Sequence, residues 1–257
     1  MNIFVLLKRT FDTEEKIVLQ NGAISEDGAE FIINPYDEYA VEEAITLREA
    51  HGGEVTVITV GNNDAEKELR TALAMGVDKA VLINVEDDVE ELDEFSVSKL
   101  LATYLQDKEV DIIIGGNVAI DGGSGQVAPR VAELLDISYI TTITKLEVNG
   151  TTATIEKDVE GDLEIIEVSL PIVVTAQQGL NEPRYPSLAG IMKAKKKPLD
   201  EVELDDLDLE EDDVKAKTKT IEIFLPNAKT SGKVLSGEIT DQVKELVGLL
   251  RNEAKVL

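Results

Sequence analysis

Four apolar runs rich in strand formers, at residues 2–7 (NIFVLL), 55–60 (VTVITV), 80–83 (AVLI) and 110–114 (VDIII), alternate with segments of helical periodicity. Continuous apolar runs suit strands covered on both faces, the condition of a parallel sheet. Residues 36–49, 64–75, 94–106 and 125–135 carry apolar side chains at three- and four-residue spacing, as helices with one core-facing side do. Strand then helix, repeated, predicts a parallel α/β sheet with flanking helices over the first 135 residues.

Local punctuation fits these boundaries. Asn34 is suited to cap a helix whose first position is Pro35, and Gly76 follows Met75 where a left-handed C-terminal residue is wanted. His51, the sole histidine, stands before Gly52 and Gly53 as a helix C-terminal residue rather than a catalyst. From 139 to 176 the pattern changes to short β-like pieces, with Asn149-Gly150 and Gly161-Asp162 as hairpin turns, so the sheet gains antiparallel strands. A loop at 181–198 leads into the acidic stretch 200–213, read as an extended arm. TIEIFL at 220–225 is strand-like and 240–251 is helix-like, but about 55 residues are few for a separate core. The expected organisation is an α/β domain over 1–198 and a C-terminal arm over 199–257 that embraces a partner.

The chain has no cysteine, one histidine, and 52 acidic against 25 basic residues, a net charge of −27. Disulfides, thiolate nucleophiles, zinc fingers and His-based triads are thereby excluded or nearly so. The charge repels nucleic acid and anionic membrane surfaces. No apolar run approaches the roughly 20 residues of a membrane span, and residues 1–7 are too short for a signal peptide. A cytoplasmic protein without nucleic acid partners or direct membrane insertion is the expectation. The carboxylate pairs Glu42-Glu43 and Asp87-Asp88 are read as lying on solvated faces, without acid–base roles.

In open parallel sheets, ligands collect beyond the carboxyl ends of strands, where helix N-termini offer free N–H donors. The strands here leave through Lys8-Arg9, through Val60-Gly61, and through a turn from Gly115 to Gln126 that holds five glycines within 11 residues. Glycines let the backbone approach a phosphate closely, and Ser124 and Gln126 add donors. A tight βα turn would use the same glycines, and neither a GxGxxG fingerprint nor a G-K-S/T motif is present, so both readings stand. Asp121 either accepts from a ribose hydroxyl or adenine amino group, or caps the turn. Asn34 to Asp37 open a helix and either meet a ligand or simply cap. Residues 191–197 are a basic island, following a loop in which Leu188 either anchors a partner or covers the domain's own edge.

Residues 33–44 (INPYDEYAVEEA), 70–76 (RTALAMG), 119–127 (AIDGGSGQV) and 180–185 (LNEPRY) closely resemble the electron transfer flavoprotein β subunit, in order, over residues 1 to about 200. The resemblance implies an adenine nucleotide-binding α/β fold, paired with an α subunit that holds most of the redox-active FAD while the β subunit holds a structural AMP. Carried over by motif, the AMP site would comprise Leu6, Asn34, Pro35, Tyr36, Asp37 and Val60. The glycine-rich turn would add Gly116, Asn117, Val118, Ala119, Ile120 and Asp121, followed by Gly122, Gly123, Ser124, Gly125, Gln126 and Val127. Tyr36 and Thr13 would approach the flavin, although relatives often carry an aromatic residue where this chain has Thr13. Asp158 matches a carboxylate that helps hold the mobile flavin domain.

The loop Tyr185, Pro186, Ser187, Leu188, Ala189, Gly190, Ile191, Met192 and Lys193 resembles the family's docking loop for acyl-CoA dehydrogenases, with Leu188 as anchor. The implied role is an electron carrier without catalytic residues of its own. Dehydrogenases would reduce the FAD, the FAD domain would swing, and a membrane quinone oxidoreductase would collect the electrons. The alternatives are an electron-bifurcating type, in which a second FAD replaces AMP and oxidises NADH, and a stand-alone adenine nucleotide sensor.

Overall fold

The computed structural model describes residues 1–85, 89, 91–228 and 231–257, so the Asp87-Asp88 pair lies outside the described residues. The chain divides into a main unit, residues 1–18 and 24–221, and a smaller one, residues 19–23 and 222–257.

In the main unit the four apolar runs form β1 (Asn2–Leu6), β2 (Glu54–Gly61), β3 (Lys79–Asn84) and β4 (Ile112–Gly116). The helical segments form α1 (Pro35–His51), α2 (Glu66–Met75), α3 (Glu94–Leu105) and α4 (Val127–Leu135). β5 (Ser138–Asn149), β6 (Thr152–Val159), β7 (Asp162–Ser169), β8 (Ile172–Ala176) and β9 (Leu199–Val202) complete a nine-stranded sheet, and α5 (Leu188–Ala194) precedes β9. The strand order is β7-β6-β5-β8-β4-β1-β2-β3-β9. Neighbours are parallel except for β5–β6 and β6–β7, the expected antiparallel addition at one edge. Strand order reverses direction at β1, with β2 on one side and β4 on the other, so the crevice of a doubly wound sheet opens between β1 and β4.

Two-residue alternation sends each central strand's side chains into two cores. Ile3, Val5, Val57, Ile112 and Ile114 pack with Val41, Ile45, Leu69 and Leu73 of α1 and α2. Phe4, Leu6, Ile58 and Ile113 pack with Leu100, Leu101 and Val131 of α3 and α4. Both faces being covered explains why these strands read as unbroken apolar runs.

The turns form where expected, with shifts of detail. Gly76 has φ 145°, positive but outside the left-handed helical basin. The first hairpin loop is Gly150-Thr151, because Asn149 still pairs with Thr152. The second is Glu160-Gly161, with φ 50° and 97°, because Val159 pairs with Asp162. A two-residue turn with positive φ at both centres wants glycine second, which moves the turn one residue before Gly161-Asp162.

The acidic stretch 200–213 is not an extended arm. Residues 199–202 form β9 beside β3, held by Lys79 to Asp200 at 2.9 Å and by Asn84 to Glu201 at 2.6 Å. Leu204 is buried, and so is Val214, which ends α6 (Glu211–Val214). Acidic side chains suit an edge strand, where charge discourages further pairing, so composition concealed the strand. The expected boundary at 198/199 therefore precedes β9, whereas the compact division falls at 221/222.

TIEIFL at 220–225 forms no strand, and Ile221 is 97% exposed. Alternation makes a segment competent to pair, but a strand also needs a free edge to pair with. In the smaller unit, α7 (Ile239–Asn252) matches the expected helix and carries Ile239, Val243, Leu246 and Val247 on one exposed stripe.

Candidate functional site

Beyond the carboxyl ends of β1, β2 and β4 lies a cavity of about 490 Å³, within the range of small-molecule sites. Leu6, Leu7 and Lys8 line it from β1, Ile58, Thr59 and Val60 from β2, and Gly115 to Ala119 from β4. Gly122 to Ala128 close it from the glycine-rich turn and the start of α4. Of the eighteen residues carried over by motif, Pro35, Tyr36, Ile120 and Asp121 are not in its wall.

The first turn of α1 holds this end together. Asn34 stands at the N-cap before Pro35, yet its side chain makes no bond to a helix N–H. Its Nδ2 donates to Asp37 Oδ1 at 3.0 Å and to the Val118 carbonyl at 2.9 Å, and its Oδ1 accepts from Ile120 N–H at 3.2 Å. Asp37 Oδ1 also accepts from Gly116 N–H at 3.0 Å, and Oδ2 from Lys8 N–H at 2.7 Å. Both side chains are buried, and together they tie the exits of β1 and β4 to one helix. Burial pushes the Asp37 carboxyl up to about 7, against the pull of those N–H donors and of the Lys8 charge. Gly116 must lack a Cβ, since one there would collide with Asp37 Oδ1 and Tyr36.

The glycine-rich turn supplies backbone rather than side chains. Gly123 and Gly125 have φ 67° and 59°, the left-handed region that glycine enters freely, and nothing lies within 4 Å of a Cβ built on Gly122 or Gly123. Asp121 caps the turn, accepting from Gly122 N–H at 2.6 Å, and also pairs with Lys8 Nζ at 2.8 Å. Gln126, at the N-cap of α4, makes no side-chain capping bond, leaving the first N–H groups of that helix without that partner at the cavity wall. Its Oε1 instead accepts from Arg130 at 2.8 Å. The helix N-terminus of α4 and Lys8, both in the wall, suit that part of the cavity to an anion.

Leu92, Asp93, Glu94, Val97, Leu101, Thr218 and Thr220 form the remaining wall. Sequence reasoning missed all seven. A capping box at Asp93 and Ser96 was the one local signal, whereas Thr218 reaches Asp93 across 125 positions.

The second expected surface, residues 185–193, packs through Gly190 on α2, and Asn181 and Arg184 just before it are fastened to α1. Ser187 caps α5, its Oγ accepting from Gly190 N–H at 3.0 Å. Gly190 lies so close to the Ala74 carbonyl that a Cβ would collide with it. Tyr185 is 93%, Leu188 85% and Met192 66% exposed. At the base of the loop, the Arg184 guanidinium reaches Glu42 at 2.8 and 2.9 Å and Glu49 at 2.7 and 3.2 Å. Asn181 donates to Glu43 at 2.9 Å and to the Tyr39 carbonyl at 3.0 Å.

The solvated-face reading of Glu42-Glu43 is thus corrected. Each is only 7% exposed, because the loop covers them and supplies their partners. Hydrogen bonding to Arg184 lowers the Glu49 carboxyl, while burial raises that of Glu43. The basic island is not all surface charge either, since Lys197 Nζ donates to the Leu73 and Val77 carbonyls at the end of α2.

A doubly wound, mostly parallel sheet with a cavity at its switch point defines a class, the open α/β proteins whose ligand crevice lies at the carboxyl ends of the strands. The family model for the electron transfer flavoprotein domain matches residues 21–207. The chain is 70% identical over 257 residues to the electron transfer flavoprotein subunit beta of Bacillus subtilis (strain 168), covering 100% of both. It is 40% identical to that of Syntrophomonas wolfei, over 100% of this chain and 98% of the relative. It is 34% identical to that of Homo sapiens, over 90% of this chain and 91% of the relative. The chain belongs to the electron transfer flavoprotein β-subunit family.

Proposed function

We propose that this chain is one half of a heterodimeric electron carrier, with an α subunit that holds most of the FAD and with a structural AMP in its own cavity. Acyl-CoA and related dehydrogenases donate the electrons, and a membrane quinone oxidoreductase receives them. The carrying observation is the cavity at the switch point, where a glycine-rich turn, the N-terminus of α4 and Lys8 face apolar walls from β1 and β2. The residues present fit a nucleotide, since Gly122 and Gly123 leave open space beside the backbone where a phosphate would approach, and Leu6, Ile58 and Val60 offer apolar contact. FAD, when bound, supplies the reversible uptake and release of electrons. This chain's residues contribute by binding and orienting: the turn holds the nucleotide, and residues 185–193 meet the donor.

No described helix is long and apolar enough to cross a membrane. The test is to co-express the chain with its α subunit, denature the complex, and quantify released FAD and AMP. One of each per heterodimer is expected. Two FAD without AMP would replace this reading with bifurcation, a nucleotide without any flavin partner would favour the sensor, and failure to form a flavin-containing complex would overturn the carrier reading.

A further inference from the structure

α5 is seven residues long, too short to hold a helix by its own hydrogen bonds. Its order comes from α2. Gly190 and Ala194, one helical turn apart, share the face turned to that helix: Gly190 sits against the Ala74 carbonyl, and Ala194 belongs to the buried core that includes Leu73, Ala74 and Val77. Leu188 and Met192, also one turn apart, share a different face, and both are exposed, as is Ile191. The loop therefore buries its small residues and holds its large apolar ones in solvent. A segment that only covered the domain's own edge would do the reverse.

α5 and α2 are fastened by an exchange of cations for carbonyls. Arg70, on α2, donates from Nη1 to the Ala194 and Lys197 carbonyls at the end of α5, each at 3.1 Å. Lys197, just beyond α5, donates from Nζ to the Leu73 carbonyl at 3.0 Å and to the Val77 carbonyl, at the end of α2 where the last carbonyls lack helical partners. Each segment thus supplies a cation to the other's carboxyl end, where the backbone dipoles favour positive charge. With Arg184 on Glu42 and Glu49 just before it, the loop is held from both sides, by α1 at one and by α2 at the other.

We propose that Arg70 and Lys197 are positioning residues for electron donation: by seating α5 on α2 they hold Leu188, Ile191 and Met192 out as a preformed apolar knob, so that the donor meets a surface already ordered. The inference rests on the reading that residues 185–193 meet the donor. It adds that affinity for the donor depends on two side chains acting from behind the knob, through the ordering that the encounter then does not require.

The experiment uses the full chain with its co-expressed partner subunit as the electron acceptor of an acyl-CoA dehydrogenase at steady state. Lys197→Met keeps an unbranched side chain and removes its ammonium. It is expected to raise the KM for the heterodimer about tenfold with kcat within about twofold, and to leave FAD content unchanged. Amide exchange should speed up at 188–193 and not within α1. Arg70→Gln should raise KM about threefold, and it serves if the first variant does not fold. Because the effect runs through order, it should persist at high salt, where a lost attraction between charged surfaces would fade. In a Leu188→Ala background Lys197→Met should add little, since the seat acts through the knob. Unchanged KM in both variants, a KM effect that high salt abolishes, or full additivity with Leu188→Ala overturns the seat while the docking reading survives. If Leu188→Ala itself leaves reduction by the dehydrogenase unaltered, the docking reading falls and this inference falls with it.

Discussion

The cradle, the cavity wall tied together by Asn34, Asp37 and Gly116, and the base of the 185–193 loop are both anchored on α1, but by different chemistry. At the start of the helix, Asp37 is held by neutral N–H groups of Asn34, Lys8 and Gly116. One turn and more along it, Glu42 and Glu49 are held by the Arg184 guanidinium. The first anchor fixes backbone that lines the cavity. The second fixes only the base of a loop whose tip, with Tyr185 and Leu188, is left to solvent. The Asp37 carboxyl, among neutral donors, is raised by its burial, whereas the Arg184 guanidinium lowers that of Glu49, so the two regions should answer differently to pH, to truncation and to added bulk.

The largest difference should appear on titration. The folded-state value of about 7 for Asp37 lies above its ordinary 3.8, so between these limits the folded chain holds a proton that the unfolded chain has released. Its contribution is therefore full below about pH 4 and lost as pH rises through about 7, with a slope of at most about 1.4 kcal/mol per pH unit. Urea unfolding of the native protein and of Asp37→Asn across this window should give curves whose difference narrows or reverses as pH rises. A constant difference would show that Asp37 titrates alike in both states.

Added bulk should separate the regions next. Gly116→Ala places a Cβ against Asp37 Oδ1 and Tyr36 and should cost about 3 kcal/mol, measured by denaturant midpoint. Arg184→Ala, at the other anchor, should cost about 2 kcal/mol. That is less than for a fully buried pair, because the guanidinium is 36% exposed while the Glu42 side chain it leaves is 10% exposed. Equal tolerance of both changes would erase the distinction between a packed and a charge-clamped anchor.

Much of this was legible in the sequence, and the part that was not has a common physical cause. Apolar runs and helical spacing are local, so β1 to β4 and α1 to α4 could be read directly. The glycine cluster from Gly115 to Gly125 marked the cradle because glycine needs no partner to reveal its use. Anchors were hidden because charge only signals burial once its partner is known. Glu42 looks solvated until Arg184 arrives 142 positions later, and Asp93 looks like a plain cap until Thr218 does. β9 was hidden similarly, its acidic residues suiting a sheet edge as well as they suit a free arm.

Within the cradle, Gly122→Ala gives a milder test than any change at Gly116. A Cβ at Gly122 meets nothing within 4 Å and the residue has no left-handed φ, so stability should change by less than about 0.5 kcal/mol. Because Gly122 lines the cavity, AMP retention should nevertheless fall about tenfold. Unaltered retention would mean that the ligand does not approach the turn's backbone there.

The smallest structural effect belongs to Leu188→Ala. With 85% of the residue exposed there is little burial to lose, so the unfolding free energy should stay within about 0.5 kcal/mol and the FAD and AMP content should be unchanged. The effect should fall on encounter with the donor, where removing an apolar anchor should slow reduction by acyl-CoA dehydrogenase about tenfold in stopped-flow absorbance. Because Arg184 holds the loop from below, Arg184→Ala should slow the same reaction while also destabilising the chain, whereas Leu188→Ala should slow it alone. If Leu188→Ala instead lowers nucleotide content, the loop is part of the cradle's support and the division between the two regions of α1 fails.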